Sequence, residues 1–530
     1  MLTLHELIER QAKDRPRATA LAFKGQERSY AELQEDIERW ASVLAARGVK
    51  AGDRFGLVLR NSPEFIITFF ALVRLGARAV PVNFLLKADE ISYIFNDAGV
   101  VGVITQPAFL GNVLEASKRL PKMRDVIVSG CGRHPGESRG PEPKMDWVPA
   151  SAGKTAFQVL SYDTLLEQAP SHIEAPFASD PGEVAMIIYT SGTTGKPKGA
   201  LLTHQNFISN AEQCYAMVAS LSRRDVFLCL LPMFHSFAWT VCVLLPVYLG
   251  CKVVIVESIQ PFGDVIKQIF KQHVTVFVAV PPIYAALLRV PFWWPMRWIN
   301  PLRLCISGAA ALPVPVHEKF EKKFGVPLME GYGLTEASPV VTLNPEKRRL
   351  AGSIGKALPG VELRFIGESG EEMPPGEVGE ICIRGGNVMK GYYLQEEATR
   401  EAFLDPDRQW LRSGDMGFID PDGYVHISDR KKDLIIVKGL NVYPKEVEDI
   451  LLSHPAVQEA AVIGVADETG DELIRAFVTV KEGMQADKQE LLKLCRGKLA
   501  PYKCPKDLEI RKELPKNTLG KILKRELRKA

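Results

Sequence analysis

The sequence is poor in the features that mark a metalloprotein or a disulfide scaffold. Its nine cysteines are scattered through 530 residues, and no two stand at CxxC spacing. An odd, dispersed set in a long chain reads as reduced thiols in a reducing compartment, which predicts a cytoplasmic protein. The nine histidines contain neither an HExxH nor an HxxxH pair, so zinc chemistry is not expected. Charge of one sign is also scarce: 66 Lys+Arg stand against 63 Asp+Glu, a net of +3. That balance argues against an obligate nucleic-acid binder. What basic excess exists lies in residues 501–530, with ten Lys/Arg against four Asp/Glu.

Long apolar runs are missing as well. Residues Phe237–Gly250 (FAWTVCVLLPVYLG) carry no charge, but they number fourteen and contain Pro246. A membrane span needs about 20 apolar residues, so a buried helix is predicted there. The opening residues carry Arg10, Lys13, Asp14 and Arg15 and no long apolar segment, so no secretory leader is expected.

What is present is an ordinary globular composition, 46% hydrophobic and 24% charged. At roughly 150 residues per domain, the length predicts several lobes. Strand-like and helix-like runs alternate through the first several hundred residues. Phe55–Leu59 reads as a strand, and Ser62-Pro63 opens a helix that Gly76 closes. Ala79–Val82, Val184–Tyr189, Val253–Val256 and Val274–Val280 are continuous apolar runs, suited to parallel strands buried on both faces. Helices are predicted over Pro282–Arg289 and Pro313–Phe324. The alternation predicts layered α/β sheets. Residues 131–154 are rich in Gly, Pro and Ser and read as a surface loop. From about residue 360 short strands with turn signals predict a small β-rich lobe, including Glu380–Arg384 and Tyr424–Ile427. A charged connector, Asp429–Asp433 (DRKKD), precedes a strand (Leu434–Val437), a helix (Pro444–Leu452) and two further strands (Gln458–Val465, Ile474–Val480). The expected organisation is an N-terminal domain over 1–430 and a smaller α+β C-terminal domain over 431–530.

The most informative segment is Tyr189–Gly199, YTSGTTGKPKG, with three glycines, four Ser/Thr hydroxyls and two lysines. Glycines let backbone N–H groups approach an anion, hydroxyls add donors and lysines add charge, which is what a polyphosphate requires. It is not the GxxxxGK[ST] phosphate loop, because Pro197 and Ala200 break that pattern. Four further motifs follow in order: Gly331–Glu336 (GYGLTE), Ser413–Asp415 (SGD), Asp429–Gly439 (DRKKDLIIVKG) and Asn517–Lys521 (NTLGK). Together they resemble the signature of the adenylate-forming enzymes: acyl-CoA synthetases, luciferases and the adenylation domains of peptide synthetases.

That resemblance implies a site. The loop Thr190, Ser191, Gly192, Thr193, Thr194, Gly195 and Lys198 wraps the β- and γ-phosphates of ATP. Thr190 and Glu336 hold Mg²⁺, a hard ion suited to hydroxyl and carboxylate oxygen. Adenine rests against Gly308, Ala309 and Ala310 and against Gly331, Tyr332 and Gly333, followed by Leu334 and Thr335. Asp415 accepts from the ribose hydroxyls, with Arg430 near the ribose and phosphate. Lys521 is the lysine of the first half-reaction, offsetting charge at the α-phosphate. Only its place in NTLGK separates it from Lys516 or Lys524. The C-terminal domain is expected to be mobile, rotating at a hinge at Lys432 between the two half-reactions. Gly439 then borders a pantetheine tunnel.

For the acid, His235 in MFHSFAW resembles the family's residue at the carboxylate end. Trp239 resembles the gate tryptophan of long-chain fatty acyl-CoA synthetases. The flanking apolar runs Phe227–Leu231 and Val241–Val247 suit a greasy pocket. The expected activity is ATP-dependent fatty acid–CoA ligation, with ATP and CoA as co-substrates. The alternatives are an aryl-acid or other carboxylate–CoA ligase and an acyl–acyl carrier protein synthetase. Phe292–Trp298 (FWWPMRW) departs from the family pattern. It reads as local packing or as an aromatic ridge for peripheral membrane contact. A homodimer is compatible with the sequence, and no nucleic acid is expected as partner.

Overall fold

The computed structural model describes residues 2–130, 157–169, 180–191, 196–291, 299–437, 440–466, 472–517 and 520–528. The predicted surface loop at 131–154 and the ridge Phe292–Trp298 lie outside the described residues, as do Gly192, Thr193, Thr194, Gly195 and Gly439.

The architecture is α/β, as the alternation predicts. One sheet has seven strands in the spatial order Gln158–Ser161, Asp125–Val128, Gly102–Thr105, Arg54–Val58, Arg78–Pro81, Val184–Ser191, Pro197–Thr203. Its pairs are parallel except the last, where Val184–Ser191 and Pro197–Thr203 form an antiparallel hairpin. The second sheet has nine strands, with Thr19–Phe23, Lys252–Ile255, Val226–Cys229, Val276–Ala279, Leu304–Ser307 and Leu328–Gly333 running parallel through its middle. Their Val, Ile and Phe side chains are buried, apart from the half-buried Phe23 and Val226 at strand ends, because helices cover both faces of such sheets. The apolar runs read as strands are found where expected, with ends shifted by a residue or two. Val274–Val280, for example, contracts to Val276–Ala279.

The expected β-rich lobe is a four-stranded antiparallel sheet of Val361–Ile366, Gly379–Gly385, Leu411–Ile419 and Val425–Arg430. Its last strand ends at Arg430. Lys431–Asp433 forms one tight helical turn. Beyond it come the hairpin Ile435–Val437/Leu440–Val442, the helix Pro444–Leu452 and a three-stranded sheet with its own apolar core around Val447, Val462 and Phe477.

The apolar segment from Phe237 is a buried helix with an irregularity. Ala238–Leu244 winds as a π-helix and continues as a short α-helix, Leu245–Leu249, ended by Gly250 at φ 76°. Every residue of the π-helical stretch is buried. No helix among the described residues is long and apolar enough to cross a membrane.

Candidate active site

A cavity of about 1670 Å³ opens at the carboxyl ends of the parallel strands, where α/β sheets place their ligands. The strand Val184–Ser191 delivers Tyr189 and Thr190 to its wall, and the return strand delivers Lys198. The Tyr189 hydroxyl donates to Asp97 Oδ2 at 2.5 Å, fixing the strand just before the glycine-rich loop. Burial, reinforced by the Asp97 carboxylate, pushes the Tyr189 hydroxyl pKa well up, so the phenol stays protonated.

Glu336 lies against Thr190 in the cavity wall. It sits in a helical turn, Thr335–Ala337, that follows the strand Leu328–Gly333. Thr190 Oγ1 donates to Glu336 Oε1 at 3.0 Å, and Tyr392 Oη donates to the same oxygen at 3.0 Å. Lys198 Nζ stands 5.4 Å from the centre of the Tyr392 ring. Tyr392 carries no motif, and sequence reading missed it.

Small residues at the nucleotide wall are required by close approach. A Cβ on Gly333 would lie 1.9 Å from the Pro339 carbonyl oxygen, and one on Gly308 would meet the Phe237 ring at 2.8 Å. Ala309 adopts a left-handed φ of 65°, a conformation that costs a residue with a Cβ about 1 kcal/mol. Gly308, Ala309, Gly331, Tyr332, Gly333, Leu334 and Thr335 all line the cavity. Ala310 does not, because the chain has turned away one residue earlier.

Asp415 is buried on the strand Leu411–Ile419. Its Oδ2 accepts from Tyr332 Oη at 2.7 Å and its Oδ1 pairs with Arg430 Nε at 3.1 Å. Beside it Glu380, 4% exposed, accepts from Arg412 Nη1 at 2.8 Å and from Lys431 Nζ at 2.9 Å. Glu380, Arg412 and Lys431 line the same cavity and were also missed. Their partners are remote in sequence, and Lys431 is one of several charges in the DRKKD cluster.

Lys521 reaches the cavity from the C-terminal portion. Gly520 takes φ 77°, Gly520 N–H donates to the Asn517 carbonyl at 2.9 Å and Lys521 N–H to Asn517 Oδ1 at 2.9 Å. This turn presents Lys521 from the end of NTLGK. Lys516 and Lys524 also border the cavity, but Lys524 Nζ is paired with Glu448 at 2.8 Å and Lys516 Nζ with Glu459 at 2.5 Å. The Lys432 backbone lies in the turn Lys431–Asp433.

His235 lines the cavity, and burial lowers its pKa to about 4, so the ring is neutral near pH 7. Ser236 Oγ lies 3.1 Å from Thr335 Oγ1, and Thr240 Oγ1 donates to the Ser338 carbonyl at 2.9 Å, latching this helix onto the GYGLTE segment. Trp239 is the residue expected as the gate of the acyl pocket. Trp239 is fully buried and absent from the cavity wall, its ring 5.4 Å from Phe65 and 4.4 Å from Phe69. Val241 and Leu245 reach the cavity instead. They meet Cys214, Val218 and Leu221, from the helix His204–Met217 and the residues after it. All five are buried apolar side chains, and with Ile306 they form a greasy recess. Asn210 holds that helix in place, donating to the Val340 carbonyl at 2.7 Å and accepting from Val340 N–H at 3.0 Å.

Residues 8–393 match the family described as AMP-binding enzyme, and residues 446–521 match its C-terminal domain. The chain belongs to the AMP-binding enzyme family. A long-chain-fatty-acid–CoA ligase of Bacillus subtilis is 36% identical over 532 residues, covering 99% of this chain and 94% of the relative. A feruloyl-CoA synthase of an Amycolatopsis species is 36% identical over 523 residues, covering 98% and 97%. Among solved structures, ATP-bound MatB from Rhodopseudomonas palustris superposes with a TM-score of 0.86 at 31% identity, over 100% of this chain and 99% of that one. An O-succinylbenzoate coenzyme A synthetase of Bacillus subtilis, in complex with ATP and magnesium ion, gives a TM-score of 0.82 at 29% identity, covering 98% of each chain. Within the AMP-binding fold, the cavity therefore joins a polar end carrying the signature motifs to an apolar recess.

Proposed function

We propose that this AMP-binding enzyme is a fatty acid–CoA ligase of the AMP-forming type. One observation carries the reading: the polar cavity lined by Thr190, Glu336, Asp415 and Lys521 runs into a recess walled by Cys214, Val218, Leu221, Val241 and Leu245. A recess of buried apolar side chains recognises an alkyl chain and offers an aromatic hydroxyl no partner. The fatty acid relatives at 33–36% identity over nearly the full length agree with it. Membership of the same family by a feruloyl-CoA synthase keeps an aryl acid as the second reading.

In the first half-reaction a carboxylate oxygen attacks the α-phosphorus of ATP, the bond from that phosphorus to the bridging oxygen breaks, and pyrophosphate leaves. In the second, the CoA thiol sulfur attacks the acyl carbon, loses its proton, and AMP leaves. The work of the protein is positioning and charge stabilisation. Asp415, backed by Tyr332, receives the ribose hydroxyls. Lys521 places an ammonium where the attacking carboxylate and the phosphate bring negative charge together. His235, neutral, borders the carboxylate end of the acid without adding a charge.

The donor set at Thr190 and Glu336 fits Mg²⁺. A hydroxyl and a carboxylate in contact are hard oxygen donors, and an ion that keeps several waters and substrate phosphates needs few protein ligands. No group of three or more His, Cys, Asp or Glu that could hold a metal occurs among the described residues, in keeping with that sparse set. When bound, the ion supplies neutralisation of polyphosphate charge. The C-terminal portion, turning at Lys432, withdraws Lys521 and admits the thiol past Gly439 in the second half-reaction.

Two assays test the reading. With ATP and a panel of acids, pyrophosphate should appear, and a thioester should form only with CoA; pyrophosphate without thioester rejects the ligase. Lys521→Ala should abolish pyrophosphate release while thioester formation from supplied acyl-AMP is largely retained. Equal loss of both would remove Lys521 from the role given to it.

A further inference from the structure

We infer that Tyr392, a residue in no signature motif, is the positioning residue that ties the phosphate-binding hairpin to the metal-binding carboxylate. Its backbone shows how. Residues 389–393 run along the outgoing arm of the hairpin. Leu201 N–H donates to the Gly391 carbonyl at 2.9 Å, Lys390 N–H to the Leu201 carbonyl at 3.0 Å and Tyr393 N–H to the Gly199 carbonyl at 2.8 Å. Met389 N–H donates to the Glu336 carbonyl at 2.8 Å, so the same segment also grips the turn that carries Glu336. Tyr392 N–H donates to Thr399 Oγ1 at 2.9 Å, which fixes the residue itself.

The side chain then acts in two directions. Its hydroxyl donates to Glu336 Oε1, the oxygen that also accepts from Thr190. Both donors converge on one carboxylate oxygen, and Oε2 receives no hydrogen bond among the described residues. The carboxylate is thus held in one orientation. The ring faces Lys198 Nζ at 5.4 Å, within cation–π range, and so restrains a lysine of the loop arm. The side chain touches neither substrate nor metal in this scheme. It orients the two groups that do.

The inference rests on the ligase reading, and the test separates the two. Binding of Mn²⁺ together with the uncleavable analogue α,β-methylene-ATP is measured on the full chain by electron paramagnetic resonance. Absence of Mn²⁺-nucleotide binding by the unmodified protein overturns both. Given that binding, Tyr392→Phe keeps the ring and drops only the hydroxyl, and Mn²⁺ affinity in the ternary complex should fall about ten-fold, as for a lost bond to a charged acceptor. Tyr392→Leu should add a loss of nucleotide affinity at saturating Mn²⁺, because Lys198 loses its ring. Tyr393→Phe, which removes the neighbouring phenol's hydroxyl, should leave Mn²⁺ affinity within two-fold of the unmodified protein. Unchanged Mn²⁺ affinity in a folded Tyr392→Phe, or an equal fall in Tyr393→Phe, overturns the inference.

Discussion

Tyr332 donates its hydroxyl to Asp415 Oδ2 at 2.7 Å, a bond between residues 83 positions apart in the chain. It joins the nucleotide-facing strand of the large sheet to the β-rich lobe, with Asp415 buried and Tyr332 half-buried. Asp415 is therefore oriented before any ligand arrives, with Arg430 on its other oxygen. Asp415→Ala should raise KM for ATP by at least ten-fold, the cost of roughly 1.5–3 kcal/mol for losing a charged hydrogen-bond acceptor, with a smaller effect on KM for the acid. Initial-rate kinetics with each substrate varied decides it. A rise confined to the acid would remove Asp415 from the nucleotide side.

The apolar recess sets the size of the acid. Val218 is 1% exposed and borders the cavity. Val218→Phe should fill the recess and shift preference to shorter chains. Each methylene denied burial is worth about 0.8 kcal/mol, so two or three lost positions change kcat/KM for a long acid by ten-fold or more. KM for ATP should stay within two-fold. A competition assay with acids of graded length reads this directly, and an unaltered length profile would place the chain elsewhere.

The motifs were legible because each is local: a few consecutive residues determine a turn, a cap or a hydroxyl-rich loop. The glycine turn before Lys521 follows from such a segment, whereas the pairing of Thr190 with Glu336, 146 residues apart, was expected only through the family resemblance. Trp239 was singled out by resemblance alone, and what its ring packs against, Phe65 and Phe69, lies about 170 residues away in the chain, where no local pattern reaches. Tyr392, Glu380, Arg412 and Lys431 were invisible for another reason. Their meaning lies in contacts across 56, 32 and 51 residues, and no short pattern encodes a partner that far away. Strands were found through unbroken Val and Ile runs, since burial on both faces leaves no polar alternation to confuse with a helix.

Glu330 should make stability depend on pH. It is 4% exposed, and burial raises its carboxyl to about 7 despite the Leu312 N–H that donates to it at 2.8 Å. The folded protein thus holds this proton more tightly than the unfolded chain, whose carboxyl titrates near 4.3. The contribution is fully present below about pH 4.3 and is lost as pH rises to about 7. Glu330→Gln keeps an acceptor for Leu312 and removes the titration. Its melting temperature should exceed that of the unmodified protein above pH 7 and converge with it toward pH 5. Parallel melting curves across that range would contradict the assignment.

His235 should be silent in the pH profile of the acid half of the reaction. With its pKa lowered to about 4 by burial, the ring carries no charge from pH 6 to 8. Pyrophosphate release should therefore show no inflection that His235→Asn removes within this window. An inflection near pH 6.5, abolished by that substitution, would mean that the ring gains a proton during turnover.

The recess and the nucleotide wall draw on different stretches of chain. Cys214, Val218, Leu221, Val241 and Leu245 shape the one, while the segments around 190, 308, 331, 415 and 521 shape the other, and contacts such as Ser236–Thr335, Thr240–Ser338 and Asn210–Val340 join them. Such a division lets the diet of the protein drift by exchanging a handful of core side chains, each at the modest cost of a repacked interior, while the apparatus that spends ATP is inherited intact.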